Sequence, residues 1–150
     1  MIQKLNNNSH EIAKKIRVVF QASYKIEAKL LGAKDFPPLK RPLKNYMESQ
    51  NDFYGYLQNH ELAAVVEIEH TKTHTRIKSL VVAPYFFRQG MASKLVQFTF
   101  NSYNSPLFIV ETGAANLPAT ALYTKFGFVE ILQWDTDFGV RKVKFKKTTM

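Results

Sequence analysis

The stretch Leu80-Val81-Val82-Ala83-Pro84-Tyr85-Phe86-Phe87-Arg88-Gln89-Gly90-Met91-Ala92-Ser93 joins an apolar strand to a glycine-containing turn and then to the start of a helix. Pro84 ends the strand, because proline has no amide to give to a ladder. A helix that starts directly behind such a turn leaves its first backbone N–H groups unpaired, and its dipole favours an anion in front of them. Gly90 allows close approach of the backbone, Ala92 keeps the first helical turn slim, and Ser93 adds a hydroxyl. Strand, turn and helix in this order read as a socket for a phosphate, formed by Arg88, Gln89, Gly90, Met91, Ala92 and Ser93.

Working outward, Leu107-Phe108-Ile109-Val110 is unbroken apolar sequence, as in a central strand covered on both faces. Glu111 ends that strand. Asn116 is placed to cap a helix with Pro118 in its first turn, running past Tyr123 to Gly127. Two strands, over 128–133 and 140–146, close the chain as a hairpin, and within residues 141–147 the lysines are expected to face water from an edge strand while Val143 and Phe145 face in. Toward the N-terminus, Ile12, Ile16, Val19, Ile26 and Leu30 follow a period of 3.6 between Ser9, a natural N-cap, and Gly32, a natural stop, which predicts one long amphipathic helix. Residues 36–42 carry three prolines and read as an irregular connector, followed by a short helix over 43–49. Strands over 53–58 and 62–69 flank Asn59-His60-Glu61, a spacing that suits a hairpin, and a third strand spans 75–83. The helix after the turn is expected to begin at Arg88 or Gln89, with Ala92, Leu95, Val96 and Thr99 facing in. The result is a mixed α/β layer fold in one domain over 1–150.

The 150 residues, 45% of them apolar and 13% aromatic, are enough to bury a core at the size of one domain. No run of about 18 apolar residues is present and the N-terminus lacks a signal peptide's apolar stretch, so no membrane role and a cytoplasmic location are expected. Zero cysteines exclude disulfides, thiolate metal sites and a cysteine nucleophile. The net charge of +9 favours an anionic partner without saying which.

The segments 80–84 and 88–92, then Asn116 and Ala121-Leu122-Tyr123-Thr124-Lys125-Phe126-Gly127-Phe128, resemble the GNAT superfamily of N-acetyltransferases over about residues 52–146. The resemblance implies a mostly antiparallel sheet splayed between the strands at 75–83 and 107–110, flanked by helices. The first strand usual in these enzymes is not suggested by residues 1–8. The resemblance further implies direct transfer of acetyl from acetyl-CoA to a primary amine, with no metal and no covalent acyl-enzyme. Leu80, Val81 and Val82 would bind the pantetheine arm through their main chain, residues 88–93 would hold the pyrophosphate, and Asn116 would contact the CoA arm. Phe87 stands where the family's Q/R-x-x-G-x-G/A signature has a glutamine or arginine, which leaves Arg88 or Arg41 as further phosphate contacts. Tyr123 matches the tyrosine that protonates the departing thiolate; a phenol of ordinary pKa, about 10, gives up a proton to a thiolate at small cost. Glu111, twelve residues earlier, matches the proposed base of the alanine acetyltransferases of bacterial ribosomes. A carboxylate is too weak to take the amine's proton directly, so that role requires a raised pKa or a relaying water.

Glu67 and Glu69, on alternate positions of a strand, are further candidate bases. His70 and His74 read as loop residues instead of metal ligands, because a spacing of four does not bring side chains together outside a helix. Phe53, Tyr54 and Tyr56 are expected to pack beneath helices, and Phe86 and Phe87 to cover the core beside the turn. Residues 36–42 border the acceptor pocket in this superfamily, as a lid or as a rigid turn. The alternatives are an acyl-CoA sensor that keeps the fold without catalysis, and a basic nucleic-acid-binding module using the sheet aromatics and residues 141–147, against which the lack of a nucleic-acid motif argues. A homodimer is the family's habit. The identity of the acceptor is not written in the sequence.

Overall fold

Seven strands form one sheet in the order β1-β2-β3-β4-β5-β7-β6, with helices on both faces, in a computed structural model that describes residues 1–149. The strands are β1 (Ile2–Leu5), β2 (Asp52–Gln58), β3 (Glu61–His70), β4 (Thr75–Val82), β5 (Leu107–Gly113), β6 (Val129–Asp135) and β7 (Arg141–Thr148). The helices are α1 (His10–Leu31), α2 (Leu43–Glu48), α3 (Met91–Ser102) and α4 (Leu117–Lys125), with 3-10 turns at Pro37–Lys40 and Pro84–Phe86. Every neighbouring pair of strands is antiparallel except β4 and β5.

The local signals work where chemistry dictates them. Ser9 caps α1 by accepting from the Ile12 amide at 3.4 Å, and Gly32 ends it in the left-handed region at φ 63°. Asn59 and His60 both take positive φ in the two-residue β2–β3 connection, the backbone that a tight hairpin demands. Phe53 is buried beneath α1, and Tyr54 packs on Phe98 of α3 at 4.8 Å between ring centroids.

Four expectations are corrected. The first strand exists: β1 runs antiparallel to β2 with Leu5 opposite Phe53 and only Leu5 buried, so a four-residue edge strand with Gln3 and Lys4 facing water leaves almost no apolar pattern to read. Helix α3 starts at Met91, because Arg88 and Gly90 adopt left-handed backbone at φ 64° and 78° and hold the turn open that much longer; Met91, not Ala92, is buried with Leu95, Val96 and Thr99. The basic strand β7 is interior, since the last hairpin folds back to insert its second strand between β5 and β6. Val143 and Phe145 do face the core. Phe86 covers the core, whereas Phe87 is exposed.

Two cores sandwich the sheet. Phe20, Tyr46, Phe53 and Val65 lie on the α1/α2 side, and Leu95, Phe108, Val110, Tyr123 and Phe145 on the α3/α4 side. The long α1 packs only its first half fully: Ala13, Ile16, Val19 and Phe20 are buried, while Ile26 and Leu30 are about half exposed along an opening in the sheet.

Candidate active site

The opening arises from one local event. Strands β4 and β5 pair in parallel only at Thr75–Phe108, Arg76–Ile109 and Ile77–Val110. A bulge then places Lys78 as an extra residue against β3, between the Ile77–Ile68 and Ser79–Glu67 pairs, and re-aims the rest of β4. Residues 79–82 continue on β3 and residues 111–113 on β7, so no ladder joins β4 to β5 there. Alternate amides and carbonyls of both strands are thereby turned into the gap. The cavity measures about 910 Å³, and its walls include Leu80, Val82, Glu111, Asn116 and Tyr123, brought together from β4, β5 and the α4 region.

The glycine turn expected to hold a phosphate stands at one mouth of this cavity. Arg88, Gly90, Met91, Ala92 and Ser93 border it, and the first bond of α3 runs from the Lys94 amide to the Gly90 carbonyl, leaving the amides before it without a helical acceptor. A Cβ at Gly90 would meet no atom within 4 Å, so the glycine is favoured by its φ of 78° and not by crowding inside the protein. Among the other expected cofactor contacts, Val81 is buried against the α1/α2 core with only its main chain available, and Gln89 is exposed. Arg88 is exposed beside the socket. Arg41 is not free for a phosphate: its guanidinium holds Glu67 through two bonds of 2.7 and 3.0 Å.

Tyr123 is buried on the inner face of α4, edge-on to Phe128 at 5.6 Å between centroids, and still borders the cavity. Burial, then the nearby Tyr24 and Glu27, push its phenol well above the ordinary value. The phenol is therefore neutral throughout the physiological range. Asn116 caps α4, its Oδ1 accepting from the Ala119 amide at 3.3 Å, while its Nδ2 donates to Glu27 Oε1 at 3.0 Å.

Comparison with known proteins fits this geometry. The sequence profile of the acetyltransferase (GNAT) domain matches residues 26–149. The chain belongs to the GNAT acetyltransferase family. Among curated relatives of this GNAT chain, UPF0157 protein YqkA of Bacillus subtilis (strain 168) is 33% identical over 129 residues; these are 85% of the present chain, which spans only 38% of that protein's length. Solved structures of similar fold include the ribosomal-protein-S18-alanine N-acetyltransferase from Escherichia coli (18% identity, 99% of this chain and 92% of that one, TM-score 0.77). Others are smu.2055 from Streptococcus mutans UA159 (13%, 99% and 98%, TM-score 0.80) and the PaiA N-acetyltransferase from Thermoplasma acidophilum in complex with coenzyme A (16%, 99% and 98%, TM-score 0.74). Membership in this family indicates acetyl transfer as the chemistry of the matched domain, and the Thermoplasma acidophilum structure of similar fold holds coenzyme A.

The carboxylates of the GNAT cleft differ in their surroundings. Glu111 sits between two cations, Arg76 Nη2 at 3.8 Å and Lys142 Nζ at 3.6 Å. Glu67 lies fully buried behind the cleft wall, bonded to Arg41 and, at 2.9 Å, to Asn51 Nδ2. Burial alone pushes Glu67 up, but the hydrogen bonds and charge of Arg41, with Asn51 and Lys78 behind them, bring it below the ordinary range. It is a structural anion and not a base. Glu69 is half-buried near the far end of β3, opposite Arg76. His70 Nδ1 pairs with Thr75 Oγ1 at 2.7 Å, next to the same end of the strand.

The residue missed by sequence reading is Glu27. It projects from α1 into the cavity, and burial, only partly offset by the Asn116 hydrogen bond and the Lys142 charge, raises its carboxyl above the ordinary value. A signal was available. Phe20, Tyr24, Glu27 and Leu31 fall on one helical stripe, and a carboxylate interrupting an apolar stripe calls for a reason.

Residues 36–42 border the cavity and are tied down. Phe36 is buried edge-on to Tyr24 and Phe138, at 5.9 and 6.0 Å between centroids, and Leu39 accepts a hydrogen bond from Gln21 Nε2 at 3.2 Å.

Proposed function

We propose that this chain is an acetyl-CoA-dependent N-acetyltransferase that moves the acetyl group directly to a primary amine. The observation that carries the reading is the split between β4 and β5, with a glycine turn of left-handed backbone at one mouth and a buried phenol bordering it. In this reading the main chain of Leu80 to Val82 aligns the pantetheine arm as an added strand, and the amides of residues 88–93 bind the pyrophosphate. Such alignment brings amine and thioester into contact and removes much of the entropic barrier of a bimolecular step. Main-chain amides at the open end of β4 polarise the carbonyl as it becomes an oxyanion. Tyr123 then donates its proton to the departing thiolate. Its raised pKa makes the proton costlier to give to a thiolate in water; a thiolate buried in the same apolar surroundings is itself more basic, which restores the match. Glu111, held by Arg76 and Lys142, keeps two cations ordered at the floor of the cleft and remains a candidate to position the amine.

Calorimetric titration with CoA and acetyl-CoA, followed by thiol release across a panel of primary amines, tests the proposal. Binding of both ligands with amine-dependent thiol release is expected. Absence of binding by either ligand refutes it, and binding without thiol release for any amine turns it toward a sensor.

A further inference from the structure

We propose that Glu27 is the general base that takes the proton from the acceptor ammonium, an inference that rests on the acetyl-transfer reading above. Of the three carboxylates in or directly behind the cleft, Glu67 is hydrogen-bonded to Arg41 and Glu111 lies within ion-pair distance of Arg76 and Lys142. Among the described residues, no cation lies within ion-pair distance of Glu27. Its recorded partner is a neutral donor, Asn116 Nδ2, at 3.0 Å on Oε1, which leaves Oε2 for an ammonium.

The arrangement is fixed from both sides. Asn116 uses its oxygen to cap α4, so its amide nitrogen has to point away from the helix and toward Glu27. Seven residues further along α4, on the same helical face, stands Tyr123. The same amide thus registers the base on α1 against the helix that carries the thiolate acid. The groups facing the Glu27 carboxylate are Tyr24 from α1, Asn116 and Tyr123 from α4, and Lys142 from β7, of which only Lys142 is charged. Its aliphatic neighbours Ile26 and Leu30 line the same opening, so a protonated amine entering there leaves water beside the Glu27 carboxylate.

A carboxyl and an alkylammonium of ordinary strength are separated by roughly six pH units, and burial of Glu27 narrows that gap from the carboxyl side while burial of the ammonium narrows it from the other. The proton balance closes. Glu27 takes one proton from R–NH3⁺ to give R–NH2 and a neutral carboxyl. The nitrogen lone pair forms the C–N bond at the thioester carbonyl, the C–S bond breaks, and Tyr123 protonates the sulfur. The second proton shed by the nitrogen returns the phenolate to phenol, and Glu27 releases its proton to water. The products are one amide, one thiol and one proton.

Sign follows from the direction of the shift: kcat/KM should fall on the acid side with an apparent pKa above that of an ordinary carboxyl, as Glu27 protonates and can no longer accept. The test is Glu27→Gln beside Glu111→Gln, with the best acceptor found in the amine panel, over pH 5 to 9. Glu27→Gln should lower kcat/KM at pH 7 by about 100-fold or more, abolish the acid limb and change the Kd for CoA by less than about threefold. Glu111→Gln should keep the acid limb. If Glu27→Gln keeps turnover within about threefold of the parent with the limb intact, the inference is overturned. Carboxyl-13C NMR of the CoA complex decides it without an acceptor: Glu27 titrating at or below the ordinary carboxyl value overturns the assignment, and titration above it supports it. Failure of the parent chain to bind CoA is a separate outcome that removes the acetyl-transfer reading itself.

Discussion

Removing Arg41 should unfold this protein sooner and leave its cofactor affinity almost untouched. The guanidinium makes two charge-assisted bonds to a carboxylate that is 0% exposed, lies over the Tyr46 ring at 4.1 Å to the centroid, and donates from Nε to Asn45 at 2.6 Å. Arg41→Met retains the apolar stem but leaves the buried Glu67 with Asn51 as its recorded donor. Breaking one side of a buried pair costs about 3–5 kcal/mol, and at about 2–4 °C per kcal/mol for a chain of this size the Tm should fall by roughly 6–20 °C. The pH dependence has a definite sign. In the parent chain the Glu67 carboxyl is held below its unfolded value, so its contribution is complete above that value and is lost as pH falls through the folded one. Without Arg41 burial acts with little opposition, and the deficit should shrink on moving from pH 8 to pH 5 as Glu67 becomes neutral. The double variant Arg41→Met, Glu67→Leu should recover most of the loss. Urea denaturation at 25 °C of all four members of the cycle measures this. A loss under about 1 kcal/mol in Arg41→Met, or a double variant no more stable than the single, would refute the reasoning. A tenfold loss of CoA affinity in Arg41→Met would instead return Arg41 to the phosphate.

Three further outcomes are expected. Tyr123→Phe should lower turnover at least tenfold with CoA affinity nearly intact, measured by thiol release and calorimetry, since the hydroxyl is the only group removed; unchanged turnover excludes it as the acid. Gly90→Asp should abolish measurable CoA binding while the protein still folds, because its Cβ meets open space and the left-handed backbone costs an L-residue about 1–2 kcal/mol. Gly113→Val should destabilise the chain and loosen the end of α1, since even a Cβ there would lie 2.5 Å from Leu31 Cδ2; a Tm within about 1 °C of the parent would mean that Leu31 moves aside freely.

The features legible in the sequence are those settled by neighbours in the chain. Ser9, Gly32, Asn59-His60 and Asn116 act on backbone within a few residues of themselves, and their chemistry allows few alternatives. The features that stayed hidden depend on distant partners. Strand β1 is defined by a ladder to β2 some fifty residues away, not by its own pattern. Arg41 and Glu67, 26 positions apart, each looked available until the sheet and the proline-rich connector brought them together. Glu27 and Asn116 are 89 positions apart, and no local rule joins them. Glu111 was found through resemblance, yet its two cations come from β4 and β7 and were visible only in the folded sheet.

The three-residue parallel pairing of β4 with β5 has a mechanical consequence. A sheet stitched for so short a length behaves as two blades on a stiff hinge, with the Leu31 side chain against Gly113 as a pin at the far side. On the proposed reading, a ligand laid along residues 80–82 would supply the missing rungs on one blade and brace the other, so donor binding should be felt as rigidity well before any chemistry occurs. Amide exchange at residues 80–82 and 111–113 would then slow together when CoA is added, although the two strands never bond to each other there.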